Sequence, residues 1–267
     1  MKKQILSLGF LAAATMSSQA VLIAHYTFDV DGTAAVGSAA TLGDAASITA
    51  SSQVGAGALA LSGAPTVDGS GDDGAVGGDT FAWTTDARTI AFWMKATADD
   101  KGDPNATMIS LGSGTGAGNR FDVLLSGNAL RLEVQGGGTT TGQTLADGTW
   151  HHVAIVVPNG GTVANTQYSI DGGTLTAFGG STTAIATGSG PLRMGDGYQD
   201  TARDFKGSLD DVRLYDSVLT QSEITALAAV PEPSSTALLG LGGLTLILRR
   251  TARNLLFEGG VRRGCHG

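Results

Sequence analysis

Short apolar runs that end in turn-forming residues are the feature that most constrains the fold of this chain. Residues 25–28 alternate between polar and apolar side chains and lead into Asp29-Val30-Asp31-Gly32, as a strand does when it enters a turn. Residues 89–95 are mostly apolar, which is typical of a central strand buried on both faces. Glycine occurs 41 times in 267 residues, about twice its average usage, so tight turns are expected throughout. The sequence therefore predicts an all-β fold.

About ten or more segments share this strand pattern, with turns roughly every 8–15 residues. The clearest segments are 25–28, 58–63, 89–95, 121–125, 129–134, 150–157, 167–170, 191–195 and 207–215. Residues 126–128 are predicted as a three-residue hairpin loop and Asp171-Gly172 as a tight hairpin turn. Residues 220–223 form a Thr-x-x-Glu capping box, which predicts one helix. Together these elements predict two antiparallel sheets packed as a jelly-roll sandwich.

The first 20 residues have the pattern of a secretory signal peptide. Lys2-Lys3 is followed by a short apolar segment at 5–14, and Ser18-Gln19-Ala20 forms a small-residue cleavage site before Val21. The apolar segment is too short for a permanent membrane span. We therefore expect a mature chain that begins at Val21 and a folded domain over residues 21–229.

The segment 230–250 combines a Pro-Glu-Pro hinge, an apolar stretch and a basic end. Proline cannot continue a helix, so Pro231-Glu232-Pro233 separates the domain from the apolar residues 237–248 and from Arg249-Arg250. A helix of about 15 residues rises only ~22 Å, against a hydrocarbon core of about 30 Å. This short transmembrane helix is therefore expected to be a transient anchor, followed by a basic tail at 251–267.

This C-terminal segment resembles the PEP-CTERM sorting signal of bacteria that make extracellular polysaccharide. The resemblance is carried by Pro231, Glu232 and Pro233, the apolar segment, and Arg249 with Arg250. It implies recognition by an exosortase, a membrane-embedded protease, cleavage near the motif, and release or attachment at the cell surface. An ordinary C-terminal membrane anchor is the alternative.

Charge and cysteine content exclude several classes of partner. Residues 21–229 contain 22 acidic and 9 basic side chains, a formal charge of −13. Such a domain is a poor ligand for nucleic acid or an anionic membrane surface. The only cysteine is Cys265 in the tail, so the domain has no internal disulfide. Its stability must come from its core and, as a further hypothesis, from a bound metal.

Several segments resemble laminin-G-like domains of the concanavalin A-like lectin/glucanase superfamily. They are 26–29, 89–95, 150–154, 168–172 and 205–215, of which the closing Gly-x-Leu-Asp-Asp-Val-Arg-Leu-Tyr strand is the most specific. The resemblance implies a curved sandwich whose first and last strands are neighbours. It leaves function open, because lectins, adhesion modules and hydrolases share this superfamily.

Catalytic motifs are weak in this sequence. Hydrolases of the superfamily usually carry Glu-x-Asp-x-x-Glu on one strand, and glycoside hydrolysis needs two opposed carboxyl groups. Glu133 stands alone in Arg131-Leu132-Glu133-Val134, and Glu223 belongs to the capping box. We therefore expect a protein that is not an enzyme.

Calcium is the cofactor that the sequence favours, in a structural role. Asp29 ends the first strand and Asp210 lies in the last, so the two meet if these strands are neighbours. Carboxylate and carbonyl oxygens are the ligands that calcium prefers. The resemblance places a structural calcium near Asp29 and Asp210, with Asp31 and Asp211 as weaker candidates. Alternatively, Asp29 caps a turn and Asp210 forms an ordinary hydrogen bond or salt bridge.

A sugar site requires exposed aromatic and polar side chains. Trp93 and Trp150 lie in apolar strands and are expected in the core. The candidates for ligand contact lie in or beside Gly- and Asp-rich loops; they are Trp83, Asn119, Arg120 and Tyr198. None of them forms a recognisable sugar motif, so ordinary surface positions are the alternative.

These observations predict an exported, surface-sorted protein with a non-catalytic binding domain. Its expected partners are an exosortase-type protease, the membrane before processing, and an extracellular polysaccharide or matrix protein. One alternative is a secreted carbohydrate-active enzyme with a divergent site that includes Glu133. The other is an adhesion module that binds protein.

Overall fold

The domain is built from two antiparallel sheets that pack face to face. The computed structural model describes residues 20–63, 73–98, 104–197 and 203–229. The nine-stranded sheet contains β1 (Leu22–Tyr26), β2 (Ala34–Val36), β4 (Ala46–Thr49), β5 (Ala58–Ser62), β7 (Arg88–Thr97), β12 (Asp147–Val157), β13 (Gln167–Ile170), β14 (Thr176–Ala177) and β16 (Lys206–Tyr215). The seven-stranded sheet contains β3 (Thr41–Leu42), β6 (Ala75–Phe81), β8 (Asn105–Leu111), β9 (Phe121–Ser126), β10 (Ala129–Val134), β11 (Gly137–Thr144) and β15 (Gly190–Met194).

The strand order confirms the predicted jelly-roll sandwich. The main path of the nine-stranded sheet runs β14-β13-β12-β7-β16-β1-β2, with β5 paired to β16 and β4 paired to β5. The seven-stranded sheet runs β11-β10-β9-β8-β15-β6-β3. The first and last strands are neighbours, because β1 pairs with β16.

One hydrophobic cluster fills the space between the sheets. Successive side chains of a strand point to opposite faces, so every second residue can enter this core. Ile90, Phe92 and Met94 of β7 do so, as do Phe121 and Val123 of β9. These core residues lie in segments 89–95 and 121–125, which the sequence predicted as strands.

The face of the nine-stranded sheet that is turned away from the core has three levels along β7. At the first level, helix α1 (Gln221–Ala228) buries Ile224 in a small apolar cluster with Ala91. At the second level, Trp93 meets His152 edge to face, with ring centroids 5.2 Å apart. At the third level lies Lys95, which is only partly buried. The capping box of α1 is present as predicted, with both reciprocal bonds.

Two details depart from the sequence-based expectations. The hairpin between β9 and β10 has a two-residue loop at 127–128, because Ser126 pairs directly with Ala129. Gly127 supplies the left-handed conformation, with φ of 60°. Trp93 is buried, as expected, but it lies on the outer face of its sheet and outside the main core cluster, and Trp150, also expected in the core, is only half-buried.

Within the described ranges, no helix has the length and hydrophobicity needed to cross a membrane. The predicted signal peptide, sorting helix and basic tail lie outside those ranges.

Candidate functional site

A charged network lies on the outer face of the seven-stranded sheet, where β9 and β10 pair. Asp122 stands opposite Glu133 in this pairing, and each alternates with core residues of its own strand. Three arginines surround the two acids: Arg120 precedes β9, Arg131 lies on β10, and Arg203 precedes β16. We call these five residues the Arg–acid network.

Glu133 is held by all three arginines of the network. Its Oε1 lies 2.5 Å from Arg120 Nη2 and 2.6 Å from Arg203 Nη1. Its Oε2 accepts a hydrogen bond of 2.9 Å from Arg131 Nε. Burial acts to raise the pKa of Glu133, but hydrogen bonds from Arg203 and Arg131 outweigh burial and hold that pKa below its ordinary value. Glu133 is therefore ionised at neutral pH.

Asp122 is almost fully buried beneath Arg120. Its Oδ1 accepts a hydrogen bond of 2.7 Å from Ser110 Oγ, and its Oδ2 lies 2.8 Å from Arg120 Nε. Burial raises the pKa of Asp122 to about 6, although Ser110 and Arg120 oppose the shift. The two paired carboxyl groups are thus shifted in opposite directions.

The network presents donors at the surface. Two carboxyl groups with separated pKa values are the usual pattern of an acid–base pair. Here, however, every carboxylate oxygen of Asp122 and Glu133 already faces a hydroxyl or a guanidinium group. The side chains of Arg131 and Arg203 remain 26% and 23% exposed. Guanidinium N–H groups are therefore what this face offers to a ligand.

The predicted ligand contacts have different positions in the structure. Arg120 belongs to the Arg–acid network, and Asn119 is partly buried in the loop before it. Trp83 is only 7% exposed and lies in the core cluster, with the Arg88 guanidinium carbon 5.6 Å from its ring centroid. The surface position expected for Trp83 is therefore not observed, because its loop folds inward over Arg88. Tyr198 lies outside the described residues.

Asp29 and Asp210 anchor the loop that links β4 to β5. Asp210 Oδ2 accepts hydrogen bonds of 2.8 Å from the backbone amides of Gln53 and Val54. Asp29 Oδ1 accepts one of 2.5 Å from the amide of Ala56. Asp29 and Asp210, the two main calcium candidates, therefore both hold the backbone of the β4–β5 loop.

Asp210 also has a feature that fits a cation. It is fully buried, and its Oδ1 has no hydrogen-bond partner among the residues that the structure describes. Burial raises its pKa to about 6, against the opposing effect of the Val54 and Gln53 amides. A buried carboxylate oxygen of this kind is a ligand that calcium accepts.

The weaker metal candidates have other partners. Asp31 is exposed and accepts a hydrogen bond of 2.7 Å from the amide of Thr33. Asp211 Oδ1 lies 2.6 Å from His25 Nε2 and 2.9 Å from Arg213 Nη2. In the described part of the chain, no group of three or more His, Cys, Asp or Glu side chains is arranged to hold a metal. Calcium at these positions stays a prediction.

A second polar region lies at the third level of the nine-stranded sheet. A cavity of about 300 Å³ opens where β5, β7 and β16 lie side by side. Its lining is Ser51, Leu61, Lys95, Ala96, Thr97, Lys206, Gly207 and Ser208. Sequence reasoning did not find this region, because its residues come from four separate segments. The only local signal was the polar end of the otherwise apolar strand 89–95.

The strand order and the alternating core define a lectin-type sandwich of two antiparallel sheets. The chain belongs to the Laminin_G_3 family of the concanavalin A-like lectin/glucanase superfamily, whose family model matches residues 68–225, more than half of the chain. Among curated protein sequences, none matches this chain.

Solved structures with the same fold include binding domains and an enzyme. Domain 4 of an extracellular arabinanase from Geobacillus stearothermophilus, in complex with arabinotriose, is 21% identical with a TM-score of 0.60, and the match covers 79% of this chain and all of that domain. The binding domain of Paraclostridial mosquitocidal protein 1 is 12% identical with a TM-score of 0.54, over 78% of this chain and 51% of that one. Trypanosoma rangeli sialidase is 16% identical with a TM-score of 0.52, over 78% of this chain and 32% of the sialidase. At these identities the similarity shows the fold alone.

The C-terminal segment matches a second family model. The PEP-CTERM protein-sorting motif covers residues 229–253, as the sequence predicted. The motif implies exosortase processing of an exported protein that is transiently anchored in the membrane before display at the cell surface.

Proposed function

We propose that this protein is displayed at the cell surface, where its sandwich domain binds carbohydrate without cleaving it. The sorting motif supports the surface location. The family contains lectin-like domains, and one structural neighbour was solved in complex with arabinotriose. These similarities support carbohydrate as the class of ligand, and this chain's own residues form the site that we propose.

The observation that carries the proposal is the partly exposed arginine face of the Arg–acid network. Glu133 fixes the guanidinium groups of Arg120, Arg131 and Arg203, so this partly exposed arginine face is held in place before a ligand arrives. Thr140 adds a hydroxyl beside Arg131, at 3.1 Å from its Nη1. Fixed donors of this kind suit sugar hydroxyl groups, because little side-chain entropy is lost on binding.

The pairing of Asp122 with Glu133 favours one alternative, a carbohydrate-active enzyme. A glycosidase needs one carboxyl group to protonate the leaving oxygen and a second to act as a nucleophile or base. Asp122 is 1% exposed, and Glu133 is enclosed by three arginines. Binding without cleavage is therefore the function that we infer.

A structural calcium ion forms a separate part of the proposal. Asp210 would contribute its buried Oδ1, and Asp29 and Asp31 are the other acids near the same loops. The ion would supply positive charge to a buried carboxylate and tie the β4–β5 loop to the last strand.

The experiment is retention of the full-length protein, solubilised in mild detergent, on the exopolysaccharide of the producing cell. We expect retention of the wild type and its loss in an Arg131→Gln/Arg203→Gln double variant. Arg213→Gln on the other sheet is the matched control and should bind normally. Equal retention of both variants would contradict the proposed site, and release of reducing ends would favour the enzyme. Cross-linked protein partners without glycan retention would favour the adhesion module. A repeat of the assay in millimolar calcium and then in chelator shows whether binding needs the ion.

A further inference from the structure

The residue before β1 is fastened to the residue after β16. Val21 donates its backbone N–H to Asp216 Oδ1 at 2.9 Å, and its carbonyl oxygen accepts a hydrogen bond of 3.1 Å from the Asp216 amide. The adjoining residues, Leu22 and Tyr215, are partners in the pairing of the two strands. The register of the sheet therefore holds the nitrogen of Val21 against a carboxylate.

Asp216 is an exposed acid whose hydrogen bonds come from uncharged donors. Besides the Val21 amide, its Oδ1 accepts a hydrogen bond of 3.0 Å from the Ser217 hydroxyl. Among the residues that the structure describes, no lysine, arginine or histidine forms an ion pair with Asp216. A charged donor at the Val21 nitrogen would add Coulomb attraction to the existing hydrogen bond. The fold thus supplies the acid of an ion pair opposite a nitrogen that carries no charge in the uncleaved chain.

The predicted signal-peptide cleavage falls at this nitrogen. The small-residue site Ser18-Gln19-Ala20 ends just before Val21. Hydrolysis breaks the bond between the Ala20 carbonyl carbon and the Val21 nitrogen, and water gives its hydroxyl to the carbon and a proton to the nitrogen. The new Ala20 acid then loses a proton, and the Val21 amine gains one, because an α-amino group has an ordinary pKa of about 8. At neutral pH Val21 therefore becomes positively charged.

The start of β1 keeps its anchors when residues 1–20 are removed. Ala20 packs on the small outer cluster that contains Tyr215, and this contact is lost. Leu22 packs on the same cluster and pairs with Tyr215, so β1 stays in place without Ala20. Val21 is 56% exposed, so its ammonium group can stay hydrated beside the carboxylate. Cleavage therefore changes the charge at Val21 without requiring the strand to move.

We propose that removal of the signal peptide creates an ion pair between the α-ammonium group of Val21 and the carboxylate of Asp216. No backbone rearrangement is needed, because the nitrogen already lies 2.9 Å from Oδ1. The neighbouring side chains of Leu22, Tyr215 and Ser217 carry no competing carboxylate or ammonium group. The ion pair fixes the new N-terminus to the end of the last strand. This inference concerns the processed chain and is independent of the proposed carbohydrate site.

The first measurement is the identity and the pKa of the N-terminal amine in the exported protein, purified from the producing cell in mild detergent. N-terminal sequencing should give Val21 as the first residue. Competitive labelling with acetic anhydride across pH, read by mass spectrometry of the N-terminal peptide, gives the pKa. We expect the pKa to lie about 0.5–1 unit above the ordinary α-amino value, since a nearby carboxylate favours the charged form. Salt at about 1 M should reduce this shift.

Asp216→Asn tests the partner of the amine, and exposed Asp44→Asn is the matched control. Asp216→Asn should return the pKa of the amine to its ordinary value, whereas Asp44→Asn removes the same charge elsewhere and should preserve the shift. Loss of the ion pair should also speed the removal of Val21 by an aminopeptidase about two- to fivefold, as expected for an exposed pair. Thermal melting confirms that both variants are folded.

A first residue other than Val21 would overturn the inference, as would an amine with the same pKa in the wild type and in Asp216→Asn. Equal rates of aminopeptidase trimming in these two proteins would contradict the fixed N-terminus. Glycan retention is measured separately and does not involve Val21 or Asp216. Failure of this inference therefore leaves the proposed function standing, and a wild type that retains no glycan leaves the ion pair standing.

Discussion

Asp122 and Glu133 are direct cross-strand partners whose acid–base properties are shifted in opposite directions. Burial raises the pKa of Asp122 to about 6, whereas three arginines hold the pKa of Glu133 below its ordinary value. The difference arises because Glu133 faces the guanidinium groups while Asp122 lies beneath one of them. Replacement of each acid by its neutral amide should therefore change the stability of the domain by different amounts.

Glu133→Gln should lower the free energy of unfolding at pH 7 by about 1–3 kcal/mol. The variant removes the charge that three partly buried arginines share, and a half-broken ion pair costs more than its net contribution. Asp122→Asn is the matched control and should cost less, because burial already disfavours the charge of Asp122. Denaturant unfolding measures the free energy of unfolding of both variants. A larger loss in Asp122→Asn than in Glu133→Gln would contradict this prediction.

Asp196→Asn should stabilise the domain above neutral pH. Asp196 is 2% exposed, and burial, with a contribution from Asp204, raises its pKa from 3.8 to about 7. Between about pH 4 and pH 7 the unfolded chain has lost this proton while the folded state keeps it, so stability falls as pH rises through that window. At pH 8 the variant should gain on the order of 2–4 kcal/mol in free energy of unfolding.

Asp147→Asn is a control, because the pKa of Asp147 is lowered where that of Asp196 is raised, so its effect on stability has the opposite pH dependence. Hydrogen bonds from Thr149 lower the pKa of Asp147 to about 2. Its contribution is present above the unfolded pKa of 3.8 and is lost as pH falls toward 2. Unfolding curves from pH 3 to pH 8 separate the two cases. An Asp196→Asn variant with the same pH slope as the wild type would contradict the buried-charge interpretation.

Calcium should raise the melting temperature if Asp210 binds it. An affinity of roughly 10⁻⁴–10⁻³ M gives about 1 kcal/mol at millimolar calcium, or about 2–4 °C in a domain of this size. Asp210→Asn should abolish the difference between calcium and chelator, whereas exposed Asp44→Asn should preserve it. Scanning calorimetry of the wild type and both variants, in calcium and in chelator, measures these three differences. A shift that persists in Asp210→Asn would place the ion elsewhere.

Replacement of Pro231-Glu232-Pro233 by three alanines should block processing at the sorting motif. The variant removes the Pro-Glu-Pro part of the sorting motif, so we expect the protease to lose its recognition sequence. The uncleaved protein should accumulate in the membrane fraction, as measured by its mass in fractionated cells. Replacement of Ser234 and Ser235 by alanine serves as the control. Unchanged surface display of the triple variant would refute exosortase-dependent sorting.

Local sequence determined nine of the sixteen strands that the structure describes, and the helix cap. The alternation in residues 129–134 identified β10, and the capping box at 220–223 identified α1, because these signals depend on neighbours within a few residues. Seven strands were not predicted, among them β11, since Gly137–Thr144 has no apolar period. It forms at the sheet edge because its backbone pairs with β10.

Tertiary structure decided which side chains meet. Glu133 looked isolated in the sequence, yet Arg203, 70 positions away, lies against it. Lys95 and Lys206 share a cavity only because β7 and β16 are adjacent in a particular register. Composition and periodicity carry the local preferences of the backbone, and the sorting signal is identified by its own short motif. Strand order and register are set by burial of the whole core, and only they bring distant charges within reach of one another.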